Sequence, residues 1–216
     1  MKYKYIFFDL DGTLTESAPG ITRSVAYALK KWGIEVEDLR TLEPFVGPPL
    51  AESFARYFGF TPEQCSDGIR YYREYYVNKG LFENSVYPGI EDMLRELKNA
   101  GKRLIVATSK PEEMAVRILE HFQLADCFER IAGASMDEKR VEKADVLRYV
   151  IEELGQVDLT KAVMVGDREN DVRGARENGL PCIGVLYGYG SREELTEAGA
   201  AKIADTVEEL KKMLKE

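Results

Sequence analysis

The stretch KYIFFDLDGTLTES, residues 4–17, contains the features that decide the fold. Four apolar or aromatic residues, YIFF at 5–8, run directly into Asp9 and Asp11, which are separated by one residue. Continuous hydrophobicity of this kind is typical of a strand that is covered on both faces of a parallel sheet. Two carboxylates so close to each other repel, and the arrangement is tolerable if a cation lies between them. The rest of the sequence must therefore supply a site that holds a positive charge here.

The length and the charge of the chain bound the class of protein. Its 216 residues fit one large domain, or a core domain with a small second one. A hydrophobic content of 44% is that of a globular protein with a sizeable core. The net charge of −8 argues against a nucleic-acid polymer as partner, because such a partner needs a basic face. A small phosphorylated substrate needs only one local cationic pocket and stays compatible.

The cysteines and the apolar runs predict the compartment. Three cysteines lie far apart, without the spacing of a metal site, and such scattered thiols are typical of a reducing compartment. No apolar run approaches the roughly 18 residues that a bilayer span needs. The first motif lies within the first dozen residues, which leaves no room for a removable signal peptide. We therefore expect a cytoplasmic protein without membrane contact.

Short apolar segments alternate with helical patterns along the second half of the chain. Alternation of this kind predicts an α/β fold with a Rossmann-like, mostly parallel sheet as its core. After the first strand at 5–8, the predicted strands are 103–108, 130–134, 162–166 and 182–186.

The interval between the first predicted strand and the second is far longer than one crossover helix requires. Its sequence contains several helical patterns. We predict that residues 17–86 form an inserted helical cap domain. The α/β catalytic core then consists of residues 1–16 and 87–216.

Polar residues follow the predicted strands, at the edge where parallel sheets bind ligands. Several carboxylates that converge there indicate a hard divalent cation, and Mg²⁺ is the usual ion where phosphate is also bound. The residues at these positions are Asp9 and Asp11, then Thr108, Ser109 and Lys110, then Lys143 at a helix start, Asp167, and Asp171 four residues later.

The sequence resembles the haloacid dehalogenase-like hydrolase superfamily through four segments: DLDGT (9–13), Thr108, Lys143 and GDRENDV (166–172). The resemblance covers essentially the whole chain and is greatest to helical-cap phosphatases of the phosphoglycolate phosphatase and 5′-nucleotidase-like branch. The family's lysine is frequently followed by proline, whereas Ala144 follows here. Lys139 therefore stays open as an alternative, although the spacing favours Lys143.

This resemblance implies a two-step phosphoryl transfer. Asp9 is expected to attack phosphorus and form an aspartyl-phosphate, and Asp11 to protonate the leaving oxygen and later deprotonate water. Mg²⁺ is expected to be held by the Asp9 carboxylate, the main-chain carbonyl of Asp11, and Asp167 and Asp171. For Asp171 the alternative is an acid that merely complements the dipole of its helix.

The resemblance also implies how phosphate is bound. Thr108, Ser109, Lys143 and the backbone amides of a helix start at 109–112 are expected to neutralise phosphate oxygens. Lys110 and Arg168, by contrast, are expected to be solvated or supporting residues.

In the cap, the loop EPFVGPPL (43–50) is expected to contact the substrate through Gly47 and Pro48, with Arg23 as a further candidate. The alternative for this loop is a rigid helix connector.

The predicted function is Mg²⁺-dependent hydrolysis of a small phosphomonoester, with phosphoglycolate and nucleoside 5′-monophosphates among the compatible substrates. A phosphomutase of the β-phosphoglucomutase type shares every core motif and differs only in the cap. A regulatory protein with a relic site is the non-enzyme alternative, and the intact acidic residues argue against it.

Overall fold

The structure is a computed structural model that describes residues 2–136 and 139–215. The chain divides into two compact units. One contains the residues up to Thr15 and those from Val86 onward, and the other contains Glu16–Ser85. The short strands β2 (Thr15–Glu16) and β3 (Ser85–Val86) pair with each other where the chain passes between the units.

The first unit contains a parallel sheet, which within the described residues has six strands in the order β5-β4-β1-β6-β7-β8. The order reverses beside β1, whose neighbours are β4 and β6, so the end of β1 lies at the centre of the ligand-binding edge. The strands are β1 (Tyr5–Phe8), β4 (Arg103–Pro111), β5 (Arg130–Ala134), β6 (Ala162–Gly166), β7 (Cys182–Val185) and β8 (Lys202–Ala204).

Helices cover both faces of this sheet, which is why the YIFF strand is buried along its whole length. Helices α6 and α7 pack against the strands on one face, where Tyr5 and Phe7 share a core with Val146, Val150 and Val172. The alternate residues Ile6 and Phe8 are also fully buried. The helices are α4 (Ile90–Asn99), α5 (Glu112–His121), α6 (Lys143–Leu154), α7 (Glu169–Glu177), α8 (Arg192–Ala198) and α9 (Val207–Lys215).

The second unit is helical and contains α1 (Ala18–Lys30), α2 (Leu50–Phe58) and α3 (Pro62–Tyr76). Helix α3 begins at a capping box, in which the Thr61 hydroxyl accepts from the Gln64 amide and the Gln64 side chain accepts from the Thr61 amide. Phe54 is fully buried and stacks on Phe60 with ring centroids 5.6 Å apart. Aromatic packing therefore contributes to the core of this unit.

The predicted α/β class with a parallel sheet is confirmed, and two details differ. Strand β4 continues to Pro111, so helix α5 begins at Glu112, the last residue of the expected start at 109–112, and residues 109–111 belong to the strand instead. The reason is Pro111, because a residue that precedes proline is disfavoured in the helical conformation. The sequence pattern also gives no sign of β8, whose three residues are too few to display a period. None of the helices in the described ranges has the length and apolarity that a bilayer span requires.

Candidate active site

Three carboxylates meet at the carboxyl ends of the neighbouring strands β1 and β6. Asp9 directly follows β1, Asp167 directly follows β6, and Asp171 lies in the first turn of α7. One oxygen of each lies within 4.8 Å of the others, and all three residues are buried. The structure therefore brings together the three carboxylates that the sequence places at separate strand ends.

The chain after β1 turns sharply to form this site. The Leu10 carbonyl accepts hydrogen bonds from the amides of Thr13, Leu14 and Thr15, which folds the segment back on itself. Gly12 adopts φ of +79°, and a Cβ on it would lie 2.2 Å from an Asp167 oxygen. The DLDGT segment thus needs glycine at this position both for the turn and for the space that Asp167 occupies.

A loop after β7 holds Asp167 in place. The Tyr189 amide donates to Asp167 Oδ2 at 2.8 Å, and the Thr13 hydroxyl donates to Oδ1 at 3.4 Å. Gly188 packs so closely that a Cβ on it would lie 2.5 Å from Asp167 Cβ. The sequence alone assigns this loop no role at the site, and the signal that could have done so is the repeated glycine in YGYG, residues 187–190.

The two carboxylate oxygens of Asp171 have different partners. Its Oδ2 accepts from the Arg168 amide at 3.1 Å, which caps the N-terminus of α7. Its Oδ1 lies 2.8 Å from the Lys143 ammonium. Arg168 is partly buried and pairs with Glu194 at 2.9 Å.

Lys143 connects the acidic residues to the neighbouring strand β4. Its Nζ lies 2.7 Å from Asp9 Oδ1 and donates to the Ala107 carbonyl at 2.9 Å. Lys143 is only 4% exposed, whereas the alternative Lys139 is exposed. Of the two lysines, the structure therefore places Lys143 in the site.

Burial and the neighbouring charges both shift the pKa values of these groups. Burial alone would lower the pKa of Lys143, but the nearby carboxylates Asp171 and Asp9 outweigh it and raise that pKa above its usual range. Burial raises the pKa of Asp171 to about 6, although Lys143 opposes this shift. Burial and the neighbouring carboxylates also raise the pKa of Asp167 well above its ordinary value. One ammonium group is thus too little positive charge for three buried carboxylates.

Asp11 has a separate partner, which the sequence analysis missed. The Lys110 ammonium lies 2.7 Å from Asp11 Oδ2, and both side chains are nearly inaccessible to solvent, with 5% and 9% exposed. Of the two expectations for Lys110, a solvated residue or a supporting one, the structure therefore excludes the first. The available signal is Pro111, because it keeps Lys110 in the strand and so at the sheet edge rather than on helix α5.

The predicted phosphate ligands lie beside these acids on β4. Thr108 is buried, and its hydroxyl accepts from the Lys110 amide at 3.2 Å. Ser109 is half-buried at the same end of the strand. The hydroxyl groups of Thr108 and Ser109 thus lie at the edge of the sheet where Asp9 lies.

The predicted substrate contacts of the insert all lie in the second unit. Arg23 is on α1, where it pairs with Glu83 at 2.9 Å. Gly47 and Pro48 are half-exposed in the bend before α2, and Gly47 adopts φ of +102°.

The donor set of the site fits a hard divalent cation. Its four carboxylates and two lysines leave two formal negative charges in a buried space. Carboxylate oxygens are ligands that Mg²⁺ prefers, and a bound divalent cation would neutralise the excess charge.

Several known proteins are similar to this chain over most of its length. A 5′-nucleotidase of Pseudomonas aeruginosa is 43% identical, with 90% of this chain and 88% of that protein aligned. The tyrosine-protein kinase PtkA of Mycobacterium tuberculosis is 41% identical over 97% of this chain and 72% of its own. A phosphoglycolate phosphatase of Rhodospirillum rubrum is 34% identical over 94% and 87%.

A solved structure and a family model complete the comparison. The crystal structure of a predicted phosphatase from Clostridium acetobutylicum has a TM-score of 0.96 and 53% identity, and it covers 100% of this chain and 99% of its own. The sequence model described as haloacid dehalogenase-like hydrolase matches residues 6–185, which include every acidic residue of the site. The chain therefore belongs to the haloacid dehalogenase-like hydrolase family and is one of its phosphatases.

Proposed function

We propose that this phosphatase hydrolyses small phosphomonoesters with Mg²⁺, through an aspartyl-phosphate on Asp9. The observation that carries the proposal is the buried cluster of Asp9, Asp167 and Asp171, with Lys143 between two of its members. Such a site pairs a carboxylate nucleophile with fixed positive charge, and a phosphate ester requires both.

Asp9 is the proposed nucleophile. Its Oδ1 accepts from the Leu10 amide at 2.7 Å and lies 2.7 Å from Lys143, so these contacts fix the carboxylate. We assign the attack on phosphorus to Oδ2. As the bond between Oδ2 and phosphorus forms, the bond between phosphorus and the leaving oxygen breaks.

Asp11 is the proposed acid and base. It gives its proton to the leaving oxygen in the first step. In the second step a water oxygen attacks phosphorus, the bond to Asp9 breaks, and Asp11 takes the proton of that water. The cycle releases an alcohol and inorganic phosphate and restores both carboxyl groups.

The proposed Mg²⁺ ligands are the carboxylates of Asp9, Asp167 and Asp171, together with the main-chain carbonyl of Asp11. When bound, the ion offsets the repulsion between an anionic nucleophile and an anionic phosphate. The Tyr189 amide and the Thr13 hydroxyl keep Asp167 in position for this role.

Thr108, Ser109 and Lys143 are the proposed phosphate ligands. The amides at the start of α5, from Glu112 onward, add partial positive charge from the same edge of the sheet.

The substrate class is proposed from the relatives. A nucleoside 5′-monophosphate is the first choice, because the 5′-nucleotidase is 43% identical over most of both chains. Phosphoglycolate is the second choice, because the phosphoglycolate phosphatase of Rhodospirillum rubrum is 34% identical. We propose that the insert predicted at residues 17–86 acts as a cap that selects among these through Gly47, Pro48 and Arg23.

We also propose a cytoplasmic protein whose partner is a small metabolite rather than a nucleic-acid polymer or a membrane. The net charge of −8 and three buried free cysteines support this assignment.

A panel of phosphorylated metabolites, ranked by kcat/KM with Mg²⁺ present, tests the proposal. Asp9→Asn should abolish phosphate release while the fold persists, and a chelator should do the same to the unchanged protein. Asp92→Asn is the control, since Asp92 is exposed on α4. Full activity of Asp9→Asn would contradict the nucleophile assignment.

A second candidate differs only in the acceptor of the phosphoryl group. The same aspartyl-phosphate can pass its phosphoryl group to a hydroxyl other than water, as in a phosphomutase. The relative named tyrosine-protein kinase PtkA favours testing this, at 41% identity. Incubation with a phosphosugar, or with a phosphate donor and a tyrosine peptide, would show transfer that outruns phosphate release if the candidate is correct.

A further inference from the structure

We propose that Lys110 is a positioning residue, which holds Asp11 in the orientation needed for proton transfer to the leaving group. This inference rests on the proposed function, since it concerns how Asp11 acts within it. The sequence alone gives Lys110 no specific partner, and the structure pairs it with Asp11.

The two oxygens of Asp11 have different surroundings. Oδ2 lies 2.7 Å from the Lys110 ammonium, whereas Oδ1 is buried and has no hydrogen-bond partner among the residues that the structure describes. Asp11 as a whole is only 7% exposed. A buried carboxylate oxygen without a partner is costly, and such groups in native structures commonly have a functional reason. We assign Oδ1 as the oxygen that exchanges the proton, and Oδ2 as the anchor.

An irregularity in the sheet places Lys110 beside Asp11. Ala107 pairs with Ala132 and Pro111 pairs with Ala134, so three residues of β4 lie opposite Gly133 alone. The strand bulges at this point, and a bulge changes the direction in which side chains leave the sheet. Gly133 makes the bulge possible, because a Cβ on it would lie 2.4 Å from the Lys110 carbonyl oxygen.

The two lysines of the site therefore divide its acids between them. Lys143 contacts Asp9 and Asp171, whereas the ion pair of Lys110 is with Asp11. In our proposal Lys110 exchanges no proton itself. Its contribution is to prevent rotation of the Asp11 carboxyl group, so that Oδ1 faces the leaving oxygen in the first step and water in the second.

The dependence of the rate on the leaving group isolates this role. An alkyl phosphate needs a proton on its leaving oxygen, whereas p-nitrophenyl phosphate releases a stabilised phenolate that needs little help. The ratio kcat/KM includes only the steps up to departure of the leaving group, so hydrolysis of the shared aspartyl-phosphate does not mask the effect. A residue that positions the acid must therefore affect the alkyl ester more than the nitrophenyl ester.

The experiment compares Lys110→Met with the unchanged protein on both esters. We expect kcat/KM for the alkyl ester to fall about 100-fold, and that for p-nitrophenyl phosphate by less than about fivefold, within the range of acid–base contributions. Lys110→Arg, which keeps a cation beside Asp11, should recover part of the alkyl activity. Lys102→Met is the matched control, because Lys102 is also buried in this unit, immediately before β4, and donates to the Tyr3 carbonyl. It should leave the ratio between the two esters unchanged.

Three results would overturn the inference. Equal losses on both esters would mean that Lys110 binds the substrate phosphate or merely stabilises the fold, and a rise in KM alone would favour phosphate binding. A Lys102→Met variant with the same change in ester ratio would make the effect nonspecific. Failure of the proposed function is distinguishable, because then the unchanged protein hydrolyses neither ester, or Asp9→Asn retains its activity.

Discussion

Lys143 lies 2.7 Å from Asp9 through its ammonium group, and this ion pair joins the first residue of α6 to the end of β1. The same nitrogen lies 2.8 Å from Asp171. A single buried cation therefore faces two of the three clustered carboxylates directly. Because buried charges cost free energy unless they are paired, the metal-free site depends on this lysine for its stability.

Lys143→Met should destabilise the metal-free protein by about 3–5 kcal/mol, the cost of breaking a buried ion pair. Saturating Mg²⁺ should recover more stability in this variant than it adds to the unchanged protein, because the ion then supplies the missing positive charge. Urea unfolding with and without Mg²⁺ measures both quantities. Lys102→Met provides the control for loss of a buried lysine elsewhere. An equal Mg²⁺ effect in all three proteins would contradict the prediction.

Asp171→Asn separates a metal ligand from a helix cap. The substituted side chain keeps an oxygen that can accept from the Arg168 amide, so α7 stays capped, but the charge is lost. We expect Mg²⁺ affinity to fall at least about tenfold, or ~1.4 kcal/mol, in isothermal titration calorimetry. If Asp171 only complemented the helix dipole, stability would fall by about 0.3–1 kcal/mol and Mg²⁺ affinity would not change.

The parts of the site that the sequence predicts are those that local patterns encode. Asp9 and Asp167 each follow a run of buried residues, so the strand ends could be located from hydrophobicity alone. The contact between Lys110 and Asp11 could not be predicted in this way, because it depends on a bulge in β4 that Gly133 of β5 permits. The residues of β4 by themselves do not show that Gly133 lies opposite them in the neighbouring strand β5.

The hydrogen bond from the Tyr189 amide to Asp167 could not be predicted from the sequence either, for a different reason. The Tyr189 group that contacts Asp167 is a backbone amide, which every residue except proline carries. The residue type at position 189 therefore does not predict the hydrogen bond to Asp167. Only the glycines beside it, which let the chain approach Asp167, leave a trace in the sequence.

Glu129→Gln tests a pH-dependent contribution to folding stability from an ion pair outside the active site. Glu129 accepts from Arg103 Nε at 2.6 Å, and this hydrogen bond holds the pKa of Glu129 below its usual 4.5. A lowered pKa in the folded state means stability that is fully present above pH 4.5 and is lost as pH falls through the folded pKa.

The Glu129 side chain is 40% exposed, so the contribution should be no more than about 1 kcal/mol. Chemical unfolding between pH 3 and 7 should show a shallower loss of stability in acid for Glu129→Gln than for the unchanged protein. If the free energies of unfolding of the two proteins changed in parallel with pH over that range, the prediction would be contradicted.

Gly188→Ala should displace Asp167 and so weaken Mg²⁺ binding. A Cβ at position 188 would lie 2.3 Å from the Gly12 carbonyl oxygen and 2.5 Å from Asp167 Cβ, distances that no packed carbon tolerates. Because both neighbours belong to the site, the loop must shift, and the hydrogen bond from Tyr189 to Asp167 shifts with it. We expect at least a tenfold loss of Mg²⁺ affinity by calorimetry, or ~1.4 kcal/mol.

Gly101→Ala is the control for the general cost of replacing a glycine. Gly101 adopts φ of +76° in open space, so alanine there should cost about 1 kcal/mol of stability through backbone strain alone. Its Mg²⁺ affinity and kcat should stay unchanged. If Gly188→Ala also lost only stability and kept its Mg²⁺ affinity, the loop at 187–190 would be a structural element of the fold and not a support for Asp167.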